Sequence, residues 1–246
     1  SPGLQEVPAA LDPTPGPEET SRALSPSPGE LENAVRAKGI SQSLPALVPE
    51  RIFHAPAENL DAVAVRTGVV LSDAILTCRD SSKEDFVRRL RRIHSGMSTM
   101  GAGSALIRML EELIIQVEND TASREEFLHK LDEISAIMVP EDGWGPEDKT
   151  GPLLQAGAWL AGSNLVTTAL IESGTPEHAQ ELLLQAQVVD YYLHYVQSEE
   201  SRAPDSVRER LVSVLSGMKT LVEKDEITLE DLQTIKTQTD SLFSLL

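Results

Sequence analysis

Cysteine is almost missing: Cys78 is the one thiol in 246 residues. No intrachain disulfide can form, and no Cys-x-x-Cys metal or redox pair exists. A lone thiol of this kind is expected to be a buried, inert side chain. No run of roughly eighteen apolar residues is present, which excludes a helical membrane span, and no charged leader followed by an apolar stretch marks a signal peptide. Basic residues are few, with 21 Lys and Arg against 39 Asp and Glu and a net charge of −18. Nucleic acid is therefore disfavoured as a partner, because phosphate contacts need a cationic surface, and so is an anionic lipid surface. Aromatics are scarce as well, with four Phe, two Trp and three Tyr, so any place where they gather is informative.

What the chain does contain is a helical pattern written twice. Gly68-Val-Val-Leu71 and, later, Val117-Glu118-Asn-Asp120 recur as Gly157-Ala-Trp-Leu160 and Val222-Glu223-Lys-Asp225. The first pair lies 89 residues apart and the second 105, so the second copy is expected to be longer in its middle. Repetition of this kind reads as internal duplication. The expected fold is all-α, with two tandem, duplicated units of about four helices each, preceded by a Pro-rich extended segment. The divisions fall at 1–49 for that segment, 50–139 for the first unit, 140–152 for a Pro/Gly linker around Trp144, and 153–246 for the second unit. The hairpins resemble tetratricopeptide pairs in outline only; the period of roughly 34 residues and its signature residues are absent.

The first segment carries Pro2, Pro8, Pro13, Pro15, Pro17, Pro26, Pro28 and Pro45. Each fixes φ and removes a backbone donor, so the segment is expected to be extended apart from two turns near 28–38. In the first unit, apolar spacing predicts helices over 58–78, 81–100, 104–118 and 123–138. In the second it predicts 153–173, 176–198, 205–224 and 228 to the C-terminus. Ser123-x-x-Glu126 and Thr228-x-x-Asp231 read as capping boxes, and Gly174-Thr-Pro176 as a helix stop and restart.

Four constellations are candidates for chemistry. Arg88, Arg91 and Arg92 share one helical face within the basic run Arg88-Arg-Leu-Arg-Arg-Ile-His94, which suits an anion or an acidic partner, or a solvated ion-paired face. Trp159, Tyr191, Tyr192, His194 and Tyr195 gather aromatic and polar groups beside the small residues of 156–163, which suits a groove or core packing. Glu126-x-x-His129 has the spacing of carboxylate-bridged di-metal bundles, yet its counterparts Asp231 and Thr234 do not complete a second pair, so no metal site is assigned. Gly101-Ala-Gly103-Ser104 precedes a helix, as phosphate loops do, but lacks the strand and the Lys-Ser/Thr ending of a P-loop. The acidic pairs Glu141-Asp142 and Glu147-Asp148 read as solvated, and no Ser/His/Asp or Cys/His nucleophile can be named.

These readings lead to a non-enzymatic helical interaction or scaffold protein that uses no cofactor and binds an unidentified protein partner along the seam near Gly68, Gly157, Trp159 and the tyrosines Tyr191, Tyr192 and Tyr195. The Pro/Ser/Glu-rich opening suits an exported protein tethered by a lipid anchor upstream of Ser1. Two other readings are a small-molecule or lipid binder with its pocket among the second unit's tyrosines, and a metal-dependent enzyme.

Overall fold

The computed structural model describes residues 25–138, 150–197 and 205–246. Trp144, the two acidic pairs around it and residues 198–204 lie outside these residues, as do the first 24. The described residues are all-helical, with no strand among them. In chain order the helices are α1 (Pro28–Ala37), α2 (Leu44–Leu47), α3 (Leu60–Thr77), α4 (Lys83–Thr99), α5 (Ser104–Glu118), α6 (Arg124–Met138), α7 (Gly151–Ser173), α8 (Ala179–Leu183), α9 (Ala186–Gln197), α10 (Ser206–Val222) and α11 (Leu229–Phe243).

Two helices form the centre. Fifteen of the eighteen residues of α3 and eighteen of the twenty-three of α7 are buried. A helix apolar all round belongs inside a larger assembly of helices, and α3 and α7 make the most extensive helix pairing of the structure. Their crossing depends on two glycines. A Cβ placed on Gly68 would lie 1.9 Å from the carbonyl oxygen of Leu154, and one on Gly157 would lie 2.1 Å from that of Val65. Only hydrogen fits at either point, so the two backbones touch there. Around this pair, α4, α5 and α6 pack in succession on one side, and α9, α10 and α11 on the other.

The core follows the same division, with one departure. Val70, Leu71 and Ala74 of α3 join Phe86, Leu90, Leu110, Phe127 and Leu131 of α4–α6. Ala62, Val65 and Val69, on the other face of α3, join the larger core of α7–α11. The helix of one half thus supplies part of the core of the other.

Over its described part the Pro-rich segment forms the turns expected near 28–38, as α1, and departs from the extended expectation in α2 and in its packing against the core. Ser27 caps α1, its Oγ accepting from the Glu30 N–H at 3.1 Å, and Pro28 sits at the first helical position, where its missing donor costs nothing. Leu31, Val35, Ile40 and Leu44 are buried in the larger core, and α1 contacts both α3 and α7. The prolines start helices here rather than preventing them. Residues 49–55 then run as a strap that is neither helix nor strand, pinned where His54 and Ala55 donate N–H bonds to the Leu246 carbonyl oxygen, at 3.1 and 2.9 Å.

A second correction concerns the single helix expected over 176–198. The chain instead makes a 3₁₀ turn over Pro176–His178, then α8, and breaks at Leu184 before α9. Leu182, Leu183 and Leu184 are all buried. Three consecutive side chains span some 200° of a continuous helix and cannot all face one core, so the break at Leu184 turns them inward together.

Candidate functional site

The arginine run lies on α4. Ser82 caps the helix, its Oγ accepting from the Asp85 N–H at 3.1 Å, and Phe86, Leu90, Ile93 and Met97 form the buried stripe. That stripe fixes the rotation of the helix and leaves Arg88, Arg91 and Ser95 exposed, with Val87 and Arg92 half-buried beside them. Arg89 turns the other way and donates from Nη1 to the Thr77 hydroxyl at 3.0 Å. Arg88, Arg91 and Arg92 therefore line one open trough with Glu84, Val87 and Ser95, as the helical spacing led us to expect; it holds about 380 Å³. Arg88 pairs with Asp85 at 2.8 Å and Arg91 with Glu118 on α5.

Behind this trough lies a second, buried layer that the sequence did not signal. Arg51, from the strap, donates from Nε and Nη2 to the two carboxylate oxygens of Asp73, at 2.6 and 3.2 Å. Both side chains are nearly sealed, at 9% and 4% exposure. The Arg51 guanidinium also rests over the Phe243 ring at 5.1 Å, while Arg92 rests over Phe53 at 5.4 Å. Burial pushes the Asp73 carboxyl above the ordinary carboxylate range, outweighing the opposing pull of Arg51, Arg89 and Arg92. Burial likewise lowers the Arg92 guanidinium, and the neighbouring charges of Arg88 and Arg89 lower it further. Arg51, Arg88, Arg89 and Arg92 thus crowd around one inward carboxylate, Asp73, with Glu50 at the edge. The free space among them is about 10 Å³, roughly room for one water. Nothing larger enters there, so chemistry at this cluster belongs to the open trough outside.

The aromatic candidates do not converge on a groove. Trp159 and Tyr192 are 3% and 1% exposed and stack with ring centroids 5.3 Å apart. Tyr191 meets Tyr192 edge-on at 5.2 Å. The Tyr192 hydroxyl donates to Ser25 Oγ at 3.0 Å, and burial drives its pKa far upward. Tyr191 and Tyr195 are half-buried against the same core, and His194 faces solvent. Offset stacking of this kind fills space, and the rings occupy the volume that a ligand would need.

No family model, curated protein or solved structure matches the chain.

The remaining candidates each have a local structural role. Glu126 closes its capping box, accepting from the Ser123 N–H at 3.1 Å while its own N–H donates to Ser123 Oγ at 3.2 Å. His129 points outward to Glu133 at 3.2 Å. Among the described residues no group of three or more His, Cys, Asp and Glu is placed to hold a metal ion. Gly101 has a φ of +79° and ends α4, with the Ala102 N–H donating to the Met97 carbonyl oxygen at 2.9 Å. Cys78 is fully buried, its thiol facing the Arg124 carbonyl oxygen at 3.7 Å, and burial raises its pKa to about 11.

Asp73 carried one sequence signal that could have been read, a carboxylate inside a helix apolar on every side. Arg51 carried none. It lies in an extended stretch without periodicity, and its partner is 22 residues away.

Proposed function

We propose that this chain is a non-enzymatic helical interaction protein, built from two related halves, that meets an acidic protein partner through the arginine face of α4. The observation that carries the reading is the trough of Arg88, Arg91 and Arg92 on a chain of net charge −18, backed by the crowded layer of Arg51 and Arg89. The contact surface in this reading moves away from the seam. Gly68 and Gly157 are closed against backbone, so the seam offers a partner nothing without separating α3 from α7.

The α3–α7 crossing supports the duplication. Gly68 approaches Leu154, and Gly157 approaches Val65. The offset of 89 residues that relates Gly68 to Gly157 also relates Val65 to Leu154. The contact is therefore its own counterpart under the repeat, as at a twofold interface between identical subunits, and this favours units at 50–139 and 153–246 that fold against each other. The stacked Trp159–Tyr192 pair leaves the small-molecule reading without a supporting cavity. The Pro/Ser/Glu-rich opening supports an exported, tethered protein. With Leu31, Val35, Ile40 and Leu44 in the core, that stretch does not itself serve as the spacer.

The test compares partners captured from source-cell lysate by the full chain and by its Arg88→Glu/Arg91→Glu variant. Both substitutions lie on exposed side chains and leave the fold intact. Partners that are retained by the wild type, released by salt and lost from the variant support the reading; an identical set for both chains refutes it.

A further inference from the structure

Residues 25–55 are laid across the two central helices at matched points. Leu31 of α1 rests on Gly162 of α7, where a Cβ would lie 2.6 Å from the Leu31 Cδ1. Arg51 of the strap holds Asp73 of α3. Positions 73 and 162 are 89 residues apart, the offset that also relates Gly68 to Gly157. The stretch is therefore one clamp that meets the same repeat position on both helices. In α7 that position is a glycine, which admits an aliphatic side chain. In α3 it is a carboxylate, which takes a guanidinium. Between and beyond these two points, the Tyr192 hydroxyl donates to Ser25 Oγ, Lys38 pairs with Glu181 of α8, and the Leu246 carbonyl oxygen accepts from His54 and Ala55.

Three features make the clamp transferable. Its anchors all lie on elements outside itself, so a second copy of the chain offers the same seats, and exchange of an identical element is a low-cost route to a dimer. Its joint to the body is a surface turn. Pro56, Ala57 and Glu58 are exposed, and the Asn59 N–H donates to the Pro56 carbonyl oxygen at 3.1 Å. Opened out, residues 56–59 span up to about 14 Å. Lastly, the clamp is neutral within a chain of net charge −18. Arg36, Lys38 and Arg51 balance Glu30, Glu32 and Glu50, so it enters a second acidic body without adding to that body's charge. Its length matches the roughly 20–30 residues that each partner commits to a standard interface.

We propose that residues 25–55 exchange between two copies of the chain, each clamp swinging out about the turn at 56–59 to seat on the central helices of the other copy.

Every clamp contact is remade in the exchanged dimer, so its population is set by concentration, by the joint and by repulsion between two acidic bodies. Salt screens that repulsion and favours the dimer, whereas capture of an acidic partner by α4 is released by salt.

The test combines cross-linking with size. Lys38→Cys and Glu181→Cys are placed on separate full-length chains, mixed at high protein concentration in 0.5 M NaCl and treated with a short bis-maleimide; Cys78 is fully buried and stays silent. The mixture is expected to give a covalent dimer, while a dilute chain carrying both cysteines links within itself. By light scattering, the dimer fraction rises with protein and with salt. Four Gly/Ser residues inserted between Ala57 and Glu58 let each clamp fold back on its own body and lower that fraction at least fivefold. A mixture that never cross-links, while the double variant links within the monomer, overturns the exchange. So does a dimer that forms without the mixed cross-link, because another surface then holds it. Failure of the double variant to link at all removes the clamp's seat and the inference with it.

Discussion

Gly68 and Gly157 are the residues with least freedom to change. Neither has a positive φ, so what they supply is room: a methyl group on either would overlap a carbonyl oxygen of the facing helix. Overpacking a core typically costs about 1–3 kcal/mol, and here the obstacle is backbone on both sides. Gly68→Ala and Gly157→Ala are each expected to lower unfolding stability by at least ~3 kcal/mol in urea titration, whereas Gly29→Ala, where nothing lies within 4 Å, changes it little. Asp73 belongs at the same scale. Replacing it with Asn leaves the Arg51 guanidinium sealed without its counter-charge, which costs ~3 kcal/mol. The double variant Asp73→Asn/Arg51→Met is expected to recover part of that loss, a coupling that a thermodynamic cycle reads directly. Cys78 is the simplest case. With its thiol held near a pKa of about 11 and no exposed surface, it is expected to react with a thiol reagent at pH 8 only after denaturant is added; rapid reaction of the native chain would contradict its placement.

Helix starts carry most of what the sequence made legible. The boundaries expected from Ser123 and Thr228 appear because a hydroxyl three residues before a free N–H fixes the first turn through local geometry alone. The Thr228–Asp231 box gives a pH prediction. Hydrogen bonds from Lys224 and Thr228 hold the Asp231 carboxyl below its ordinary value. A lowered acid pKa means that the folded state holds the proton less tightly, so the contribution is complete above the ordinary carboxylate range and is lost as pH falls through the folded value. Hydrogen exchange at the start of α11 should therefore rise in acid, and Asp231→Asn should remove that rise. What was not legible depended on partners distant in sequence. The break at Leu184 follows from where the core lies rather than from a local signal. The inward turn of α1 follows from Leu31 meeting Gly162 on α7. The Arg51–Asp73 pair joins the strap and a helix, which were read separately. Spacing grouped Arg88, Arg91 and Arg92 correctly. It could not separate a groove from core for Trp159 and Tyr192, because both readings use the same residues at the same intervals.

Across the whole molecule, a closed interior is set against a charged exterior. The central crossing is backbone-tight, and Trp159 and Tyr192 fill their own space. The densest run of arginines lies on α4, backed by an arginine layer that joins α4 to the strap and, through Phe243, to the C-terminal helix. The account requires a partner to dock on that outer face while α3 and α7 stay together. Hydrogen exchange of the full chain with and without a glutamate-rich peptide tests this most directly. The expected result is new protection over 83–95, with no change over 62–70 and 152–160; protection or opening at the glycine crossing, with α4 unaffected, would contradict it.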